Sequence, residues 1–294
     1  MRVLVAGSSG LIGSALRSRL RELGHDVVRL VRRTPAAGDE RGWDPPSGRI
    51  DEGTFDGVDA VVNLCGAPLA SGRWSAARKQ VLRDSRIEPT EVLAEAVAEH
   101  GIPVLVNSSG ISYYGDTGSR EVDESAPAGE GFLPRLCVEW EAACAPAVDA
   151  GSRVILLRTA PVLTWRGGML KLVRPVFRFG LGAVLGDGRQ YTPWISLSDM
   201  VEVIVFCLDH DDVSGPVNVT APRPVTNAEF TRAVGRALHR PTPLRMPGLP
   251  LRVLLGEAAD EILLRGPRAV PGVLTRTGFP YAFPELDRAL SSAR

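Results

Sequence analysis

The chain begins with an apolar segment, Val3-Leu4-Val5-Ala6, that runs into Gly7-Ser8-Ser9-Gly10-Leu11-Ile12-Gly13 and then into a helical pattern. No other stretch restricts the fold as strongly. The glycines let the backbone turn sharply and approach a ligand closely, and the helix that follows presents free N–H groups and the positive end of its dipole. In that helix Ile12, Leu16, Leu20 and Leu23 recur on one face with Ala15 beside them, the spacing of a helix packed on a sheet. Gly24-His25 ends it, and Asp26 to Val31 reads as a second strand, closing a βαβ unit of the usual ~30 residues. Glycine is frequent, 31 of 294 residues, so the triplet alone is weak. Its place between a strand and a helix is what predicts a dinucleotide pyrophosphate site rather than a tight turn that binds nothing.

In such sites an acidic side chain about 20 residues beyond the glycines, at the end of the second strand, holds the adenosine ribose. Here Val31 is followed by Arg32-Arg33. A carboxylate would repel a 2′-phosphate, whereas a guanidinium pairs with it in a forked, charge-assisted geometry, so the cofactor expected is NADP(H) rather than NAD(H). The competing reading is a pair of solvated arginines after a strand.

The formal net charge is zero, with 34 basic and 34 acidic residues, so no global field favours nucleic acid or an anionic membrane. A small neutral or amphipathic substrate is expected instead. Cys65, Cys137, Cys144 and Cys207 lie in apolar surroundings without a CxxC pair, and the four histidines lack metal-ligand spacing, which predicts reduced thiols and no metal. The first residues enter a strand directly, without a leader-like pattern, and the longest later apolar run, Val203 to Leu208, is far too short to span a bilayer. The expectation is a soluble cytoplasmic protein.

Alternation continues beyond the first unit. Asp59 to Gly66 reads as a buried strand and turn, Ser75 to His100 as a helix broken at Pro89, and Pro103 to Asn107 as a strand leading into Ser108-Ser109-Gly110. A helix over Leu133 to Ala150 and a strand over Arg153 to Leu157 follow. This predicts an α/β fold, a doubly wound, mainly parallel sheet with its ligand at the carboxyl ends of the strands. Residues 1–160 form the cofactor-binding domain in this reading, with 195–210 returning to it. The glycine- and proline-rich remainder, 161–294, forms a smaller α/β lobe with helices over Asn227 to His239 and Leu249 to Leu264 and a C-terminal segment over 245–294. Trp165, Phe177, Phe179, Tyr191 and Trp194 are either the wall of an apolar pocket or the core of that lobe.

The GxxGxxG loop, Arg32, Asn63-Leu64-Cys65-Gly66-Ala67 and Ser109-Gly110-Ile111-Ser112-Tyr113-Tyr114-Gly115 together resemble an atypical extended short-chain dehydrogenase/reductase. The branch is the NAD(P)-dependent epimerase family that carries a C-terminal domain of unknown function. Arg73-Trp74, Asp84-Ser85-Arg86, Trp140-Glu141-Ala142-Ala143, Gly180-Leu181-Gly182, Pro224 to Phe230, Gly256 to Glu261 and Gly278-Phe279 extend the resemblance over essentially the whole chain. It implies a cofactor cradle of Gly7 to Gly13, with Val31 and Arg32 at the adenosine phosphate and Leu64, Cys65 and Gly66 along the adenine and ribose. It also implies Arg86 as a second cation toward the cofactor phosphates, and Ser108, Thr159, Ala160 and Val162 near the nicotinamide.

Short-chain reductases move a proton with a Tyr whose pKa is lowered by a Lys four positions later, while a Ser or Thr polarises the carbonyl. This chain has only Lys79 and Lys171, preceded four positions earlier by Ser75 and Gly167. Counting from Glu141 puts the Tyr position at Leu133 and the Lys position at Cys137, and the usual Ser falls at Gly110. The hydroxyls left to replace the relay are Ser109, Ser112, Tyr113 and Tyr114. A sugar nucleotide is disfavoured as well. The arginine that precedes the family's Ile-His-x-x-Asp segment is Thr192, before Ile195-Ser196-Leu197-Ser198-Asp199, and Arg189 reads as a loop charge.

Two functions fit these residues. One is an NADP(H)-dependent oxidoreductase or epimerase with a non-standard proton donor, acting on a small molecule. The other is a cofactor-binding sensor, assembly factor or scaffold that has lost turnover, with a protein partner or a second copy as its target.

Overall fold

The computed structural model describes residues 1–70 and 72–293. The opening βαβ unit consists of β1 (Arg2–Ala6), α1 (Leu11–Glu22) and β2 (Asp26–Val31), extended by β3 (Glu40–Asp44) and the short β4 (Arg49–Ile50). The chain then crosses to the other side of β1 and continues with β5 (Ala60–Asn63), α2 (Ala76–Glu99), β6 (Val104–Gly110), β7 (Glu121–Val122), α3 (Phe132–Ala142), α4 (Ala145–Asp149) and β8 (Arg153–Thr159). Next come β9 (Val162–Leu163), α5 (Gly168–Arg178), β10 (Ala183–Leu185), β11 (Ile195–Ser196), α6 (Leu197–Asp209), β12 (Gly215–Val219) and α7 (Asn227–Ala237). The C-terminal part holds β13 (Leu244–Met246), α8 (Gly248–Leu255), α9 (Glu257–Ala259), β14 (Arg268–Ala269), α10 (Gly272–Arg276) and α11 (Leu286–Ser292).

The main sheet runs β12-β8-β6-β5-β1-β2-β3-β4, parallel throughout except for the antiparallel β3–β4 pair. Its winding reverses between β1 and β5, and a doubly wound sheet opens its ligand crevice at that switch point. Both faces are covered, which is why β1 reads as an unbroken apolar run. Val3 and Val5 face Leu16, Leu20, Val203 and Cys207, whereas Leu4 and Ala6 face Leu93, Val97 and Ala147. The register sets Asn63 beside Asn107 and Ser109 beside Arg158 at the carboxyl edge.

Several local expectations are corrected. α2 is continuous through Pro89, because Leu82, Ile87, Leu93, Ala94 and Val97 pack its length against the protein and the Thr90 hydroxyl takes the Arg86 carbonyl at 2.7 Å. The helix expected over Leu133 to Ala150 is two helices, with Pro146 in the first turn of α4, where its missing N–H costs no intrahelical bond. The helix expected over Leu249 to Leu264 breaks at Gly256, whose φ of +65° suits glycine. The sheet also takes β12 from beyond residue 160, and α6 packs against α1. Phe177 and Trp194 lie in the core between α5 and α7, with Trp165 packed on it, while Phe179 is 82 % exposed. No helix among the described residues is long and apolar enough to cross a membrane.

Candidate cofactor and active site

The cradle is built from backbone. Gly7 has φ +75°, and a Cβ there would stand 2.8 Å from the Leu64 carbonyl carbon across the switch point. A Cβ on Gly13 would meet the Gly7 oxygen at 2.3 Å, so α1 can lie this close to β1 only with glycine at that position. Gly10 caps α1 without a side chain, and the N–H groups of Leu11, Ile12 and Gly13 find no acceptor among the described residues. Ser8 is buried behind the loop, and Ser9 and Gly10 are exposed at its rim. A narrow groove lined by unpaired N–H groups at a helix N-terminus fits a dinucleotide pyrophosphate.

At the other end of β2 the two arginines part company. Arg33 donates to both oxygens of Glu40, at 2.6 and 2.9 Å, and the Ala36 N–H adds a third bond at 2.7 Å. These contacts hold the Glu40 carboxyl down at about 2. Arg29 is likewise bound to Asp39 and Glu40. Arg32, next to half-buried Val31, is exposed and has no hydrogen bond or ion pair among the described residues; its charge reaches the Cys65 thiol. Arg32 is thus the guanidinium available to a phosphate, beside the turn of Leu64, Cys65 and Gly66. Burial nevertheless pushes the Cys65 thiol up to about 12, as it does those of Cys137, Cys144 and Cys207, and all four cysteines are free.

Past Ser108, β6 ends in the turn Ile111–Tyr114, and β8 ends beside it with Thr159, Ala160 and Val162. Two of the four candidate hydroxyls are committed here. Ser109 Oγ donates to Glu141 Oε1 at 2.7 Å, and Glu141 binds Arg158 through both oxygens at 2.9 Å. Tyr114 Oη donates to Asn218 Oδ1 at 2.7 Å and accepts from Arg158 Nη1 at 2.9 Å. Glu124 closes the network by accepting the Asn218 N–H at 2.9 Å. Burial pushes the Tyr114 hydroxyl up to about 12 against the pull of Arg158, so it is a poor acid and closed to solvent. Burial works against the charge on Arg158, but the Glu141 hydrogen bonds and charge outweigh it and the guanidinium is raised overall.

Ser112 and Tyr113 are different. Both are half-buried, and neither side-chain hydroxyl has a partner among the described residues. The Arg158 Cζ lies 3.4 Å from the Tyr113 ring centroid. The expected relay positions do converge, with apolar content: Cys137 Sγ lies 3.6 Å from the Gly110 carbonyl oxygen, and Leu133 is buried one turn earlier.

Arg86 is buried beside Gly66, with its Cζ 5.1 Å from the Trp140 ring centroid. Arg189 is exposed and Thr192 is held in backbone pairing with Val225. Asp199 serves the fold by accepting from Ala282 N at 2.8 Å and Phe283 N at 3.1 Å.

Sequence reading missed the network of Glu124, Glu141, Arg158 and Asn218, which joins residues far apart in the chain. It also missed Glu261, whose oxygens accept from the N–H groups of Phe132 and Leu133 at 2.9 and 3.0 Å. With the Lys79–Glu257 ion pair, that bond fastens the C-terminal segment over the start of α3. The only advance signal was Glu261 itself, in the Gly256 to Glu261 run, and no role attached to it.

Residues 3–220 match the model of the NAD dependent epimerase/dehydratase family, and residues 246–293 match a domain of unknown function, DUF1731. The epimerase family protein Mb2239 of Mycobacterium bovis is 55 % identical over 291 residues, covering 99 % of this chain and 97 % of that protein. The human epimerase family protein SDR39U1 is 35 % identical over 297 residues, covering 99 % and 98 %. The crystal structure of human SDR39U1 isoform 2 with NADPH superposes with a TM-score of 0.91 at 33 % identity, covering 100 % of this chain and 99 % of that one. With its cradle at the switch point of a doubly wound sheet and its C-terminal segment fastened over α3, the chain belongs to the NAD dependent epimerase/dehydratase family of the extended short-chain dehydrogenase/reductase fold.

Proposed function

We propose that this chain is an NADPH-dependent oxidoreductase that acts on a small carbonyl compound. Ser112 and Tyr113 carry the reading: they are the candidate hydroxyls left without partners at the end of β6, where the fold places its reacting centre. The cradle of Gly7 to Gly13 and the unpaired Arg32 support NADPH over NADH, as does the human relative solved with NADPH. When bound, NADPH supplies a hydride. The N–H groups at the start of α1 bind the pyrophosphate, Arg32 holds the 2′-phosphate, and Tyr113 donates the proton to the substrate oxygen that Ser112 orients.

The test is a titration of the chain with NADPH and NADH, followed by the nicotinamide absorbance across a panel of aldehydes and ketones. Tyr113→Phe is expected to lower kcat by about a hundredfold or more with NADPH affinity unchanged. No turnover by the NADPH-bound wild type on any carbonyl, or a full rate in the Tyr113→Phe, Ser112→Ala double variant, overturns the reading. Leu133, Cys137 and Gly110 in the relay positions favour a second one, a cofactor sensor or scaffold without turnover. It predicts NADPH binding, no substrate-dependent absorbance change, and a partner captured only in the presence of NADPH.

A further inference from the structure

Arg86 is 8 % exposed, yet no acidic residue contributes to its surroundings; the charged or titratable neighbours it feels are the Cys137 thiol and Arg78. Burying a guanidinium without a carboxylate costs several kcal/mol unless other groups meet it. Nη1 donates to the Leu82 carbonyl at 2.9 Å and Nη2 to the Ala67 carbonyl at 3.0 Å, with the Ser85 hydroxyl at 3.4 Å. That is fewer acceptors than its five donors can use. Arg78, two turns earlier on α2, donates to the next carbonyl of the same loop, Pro68, while its Nε is buried without an acceptor. Two like charges therefore converge on one loop, each depressing the other's ionised state, and burial pushes the Arg86 guanidinium down to about 10.

Position separates this pair from the cofactor phosphates. The pyrophosphate groove lies at the start of α1 and the adenosine phosphate at Arg32, whereas Arg86 stands beyond Gly66 and feels Cys137, which touches Gly110 at the root of the turn carrying Ser112 and Tyr113. We propose that Arg86, with Arg78 behind it, is the anion anchor of the substrate pocket, and that the substrate carries a carboxylate or phosphate group next to its reacting carbonyl. This rests on the oxidoreductase reading above and replaces the expected role of Arg86 at the cofactor phosphates. The planar fork of Arg86 suits two oxygens of one anion, and Arg78 supplies the second charge.

The experiment is calorimetric titration of the full chain, saturated with NADP+, with malonate in one series and inorganic phosphate in another at constant ionic strength. NADPH affinity is measured separately for every variant. The wild type is expected to bind one of the two probes, and which one separates a carboxylate from a phosphate substrate. Arg86→Met is expected to weaken that binding by about tenfold or more, and Arg78→Met by about threefold, with NADPH affinity changed by less than about threefold. A wild type that binds neither probe, or an Arg86→Met chain that loses NADPH affinity while keeping anion affinity, overturns the proposal. Should Arg86→Met not fold, half-exposed Arg78 decides, and unchanged anion affinity in Arg78→Met is then the overturning result. A wild type that fails to bind NADPH sinks the oxidoreductase reading instead, while the same titrations without cofactor still report on Arg86.

Discussion

The sulfur of Cys137 sits 3.6 Å from the carbonyl oxygen of Gly110, joining α3 to the end of β6 through a thiol where related reductases join them through a charged relay. Space there is tight, since a Cβ on Gly110 would lie 3.3 Å from that sulfur. Restoring the serine alone by Gly110→Ser is expected to cost about 1–2 kcal/mol through overpacking. Adding Cys137→Ala should recover much of it, giving a coupling of about 1 kcal/mol in a double-mutant cycle read by urea unfolding. Strict additivity of the two substitutions would show that the sulfur is not the obstacle.

Arg32 and Arg33 are neighbours with separate roles, because Glu40 has taken one of them. Arg32→Ala is expected to raise the NADPH dissociation constant by about 10- to 100-fold and leave that of NADH nearly unchanged, the loss of charge-assisted bonds to a single phosphate. Arg33→Ala should leave the ratio of the two constants close to the wild-type value. Gly13→Ala should abolish both, since its Cβ would meet the Gly7 oxygen at 2.3 Å. Fluorescence titration of the three variants with both nucleotides checks all of this.

The Arg158–Glu141 pair is nearly buried, with side-chain exposures of 5 % and 11 %. Removing one partner leaves the other charge stranded, so Glu141→Ala is expected to cost about 3–5 kcal/mol in denaturant unfolding. Arg158→Met combined with Glu141→Leu should cost less than Glu141→Ala alone. A double variant at the sum of the single losses would mean that the pair's charges are not what matters.

Glu40 is held at about 2, mainly by Arg33 and the Ala36 N–H, against an ordinary 4.5. A carboxylate depressed on folding contributes stability that is fully present above its unfolded pKa and is lost as the pH falls through the folded one. Asp39, lowered chiefly by its Arg29 hydrogen bonds, acts in the same direction. Stability should therefore decline between about pH 5 and pH 2, and Glu40→Gln should be less stable than wild type at neutral pH, with the gap closing as acid is added. Unfolding curves at stepped pH test this, and a gap that stays constant would remove Glu40 as a source.

The sequence alone determined the α/β class, the cradle of Gly7 to Gly13 and the absence of any Tyr-x3-Lys pair, because each is a matter of periodicity, spacing or composition along neighbouring residues. Locally the same reasoning failed at Pro89, where packing along α2 outweighs one missing hydrogen bond. Only the tertiary structure could divide Arg32 from Arg33, since the divider is the position of Glu40 in the next strand. It likewise divided Ser112 and Tyr113 from Ser109 and Tyr114, through Glu141, Arg158 and Asn218 drawn from α3, β8 and β12. Which polar groups are spent and which remain free depends on partners brought together across the sheet, and spacing along the chain carries no record of that pairing.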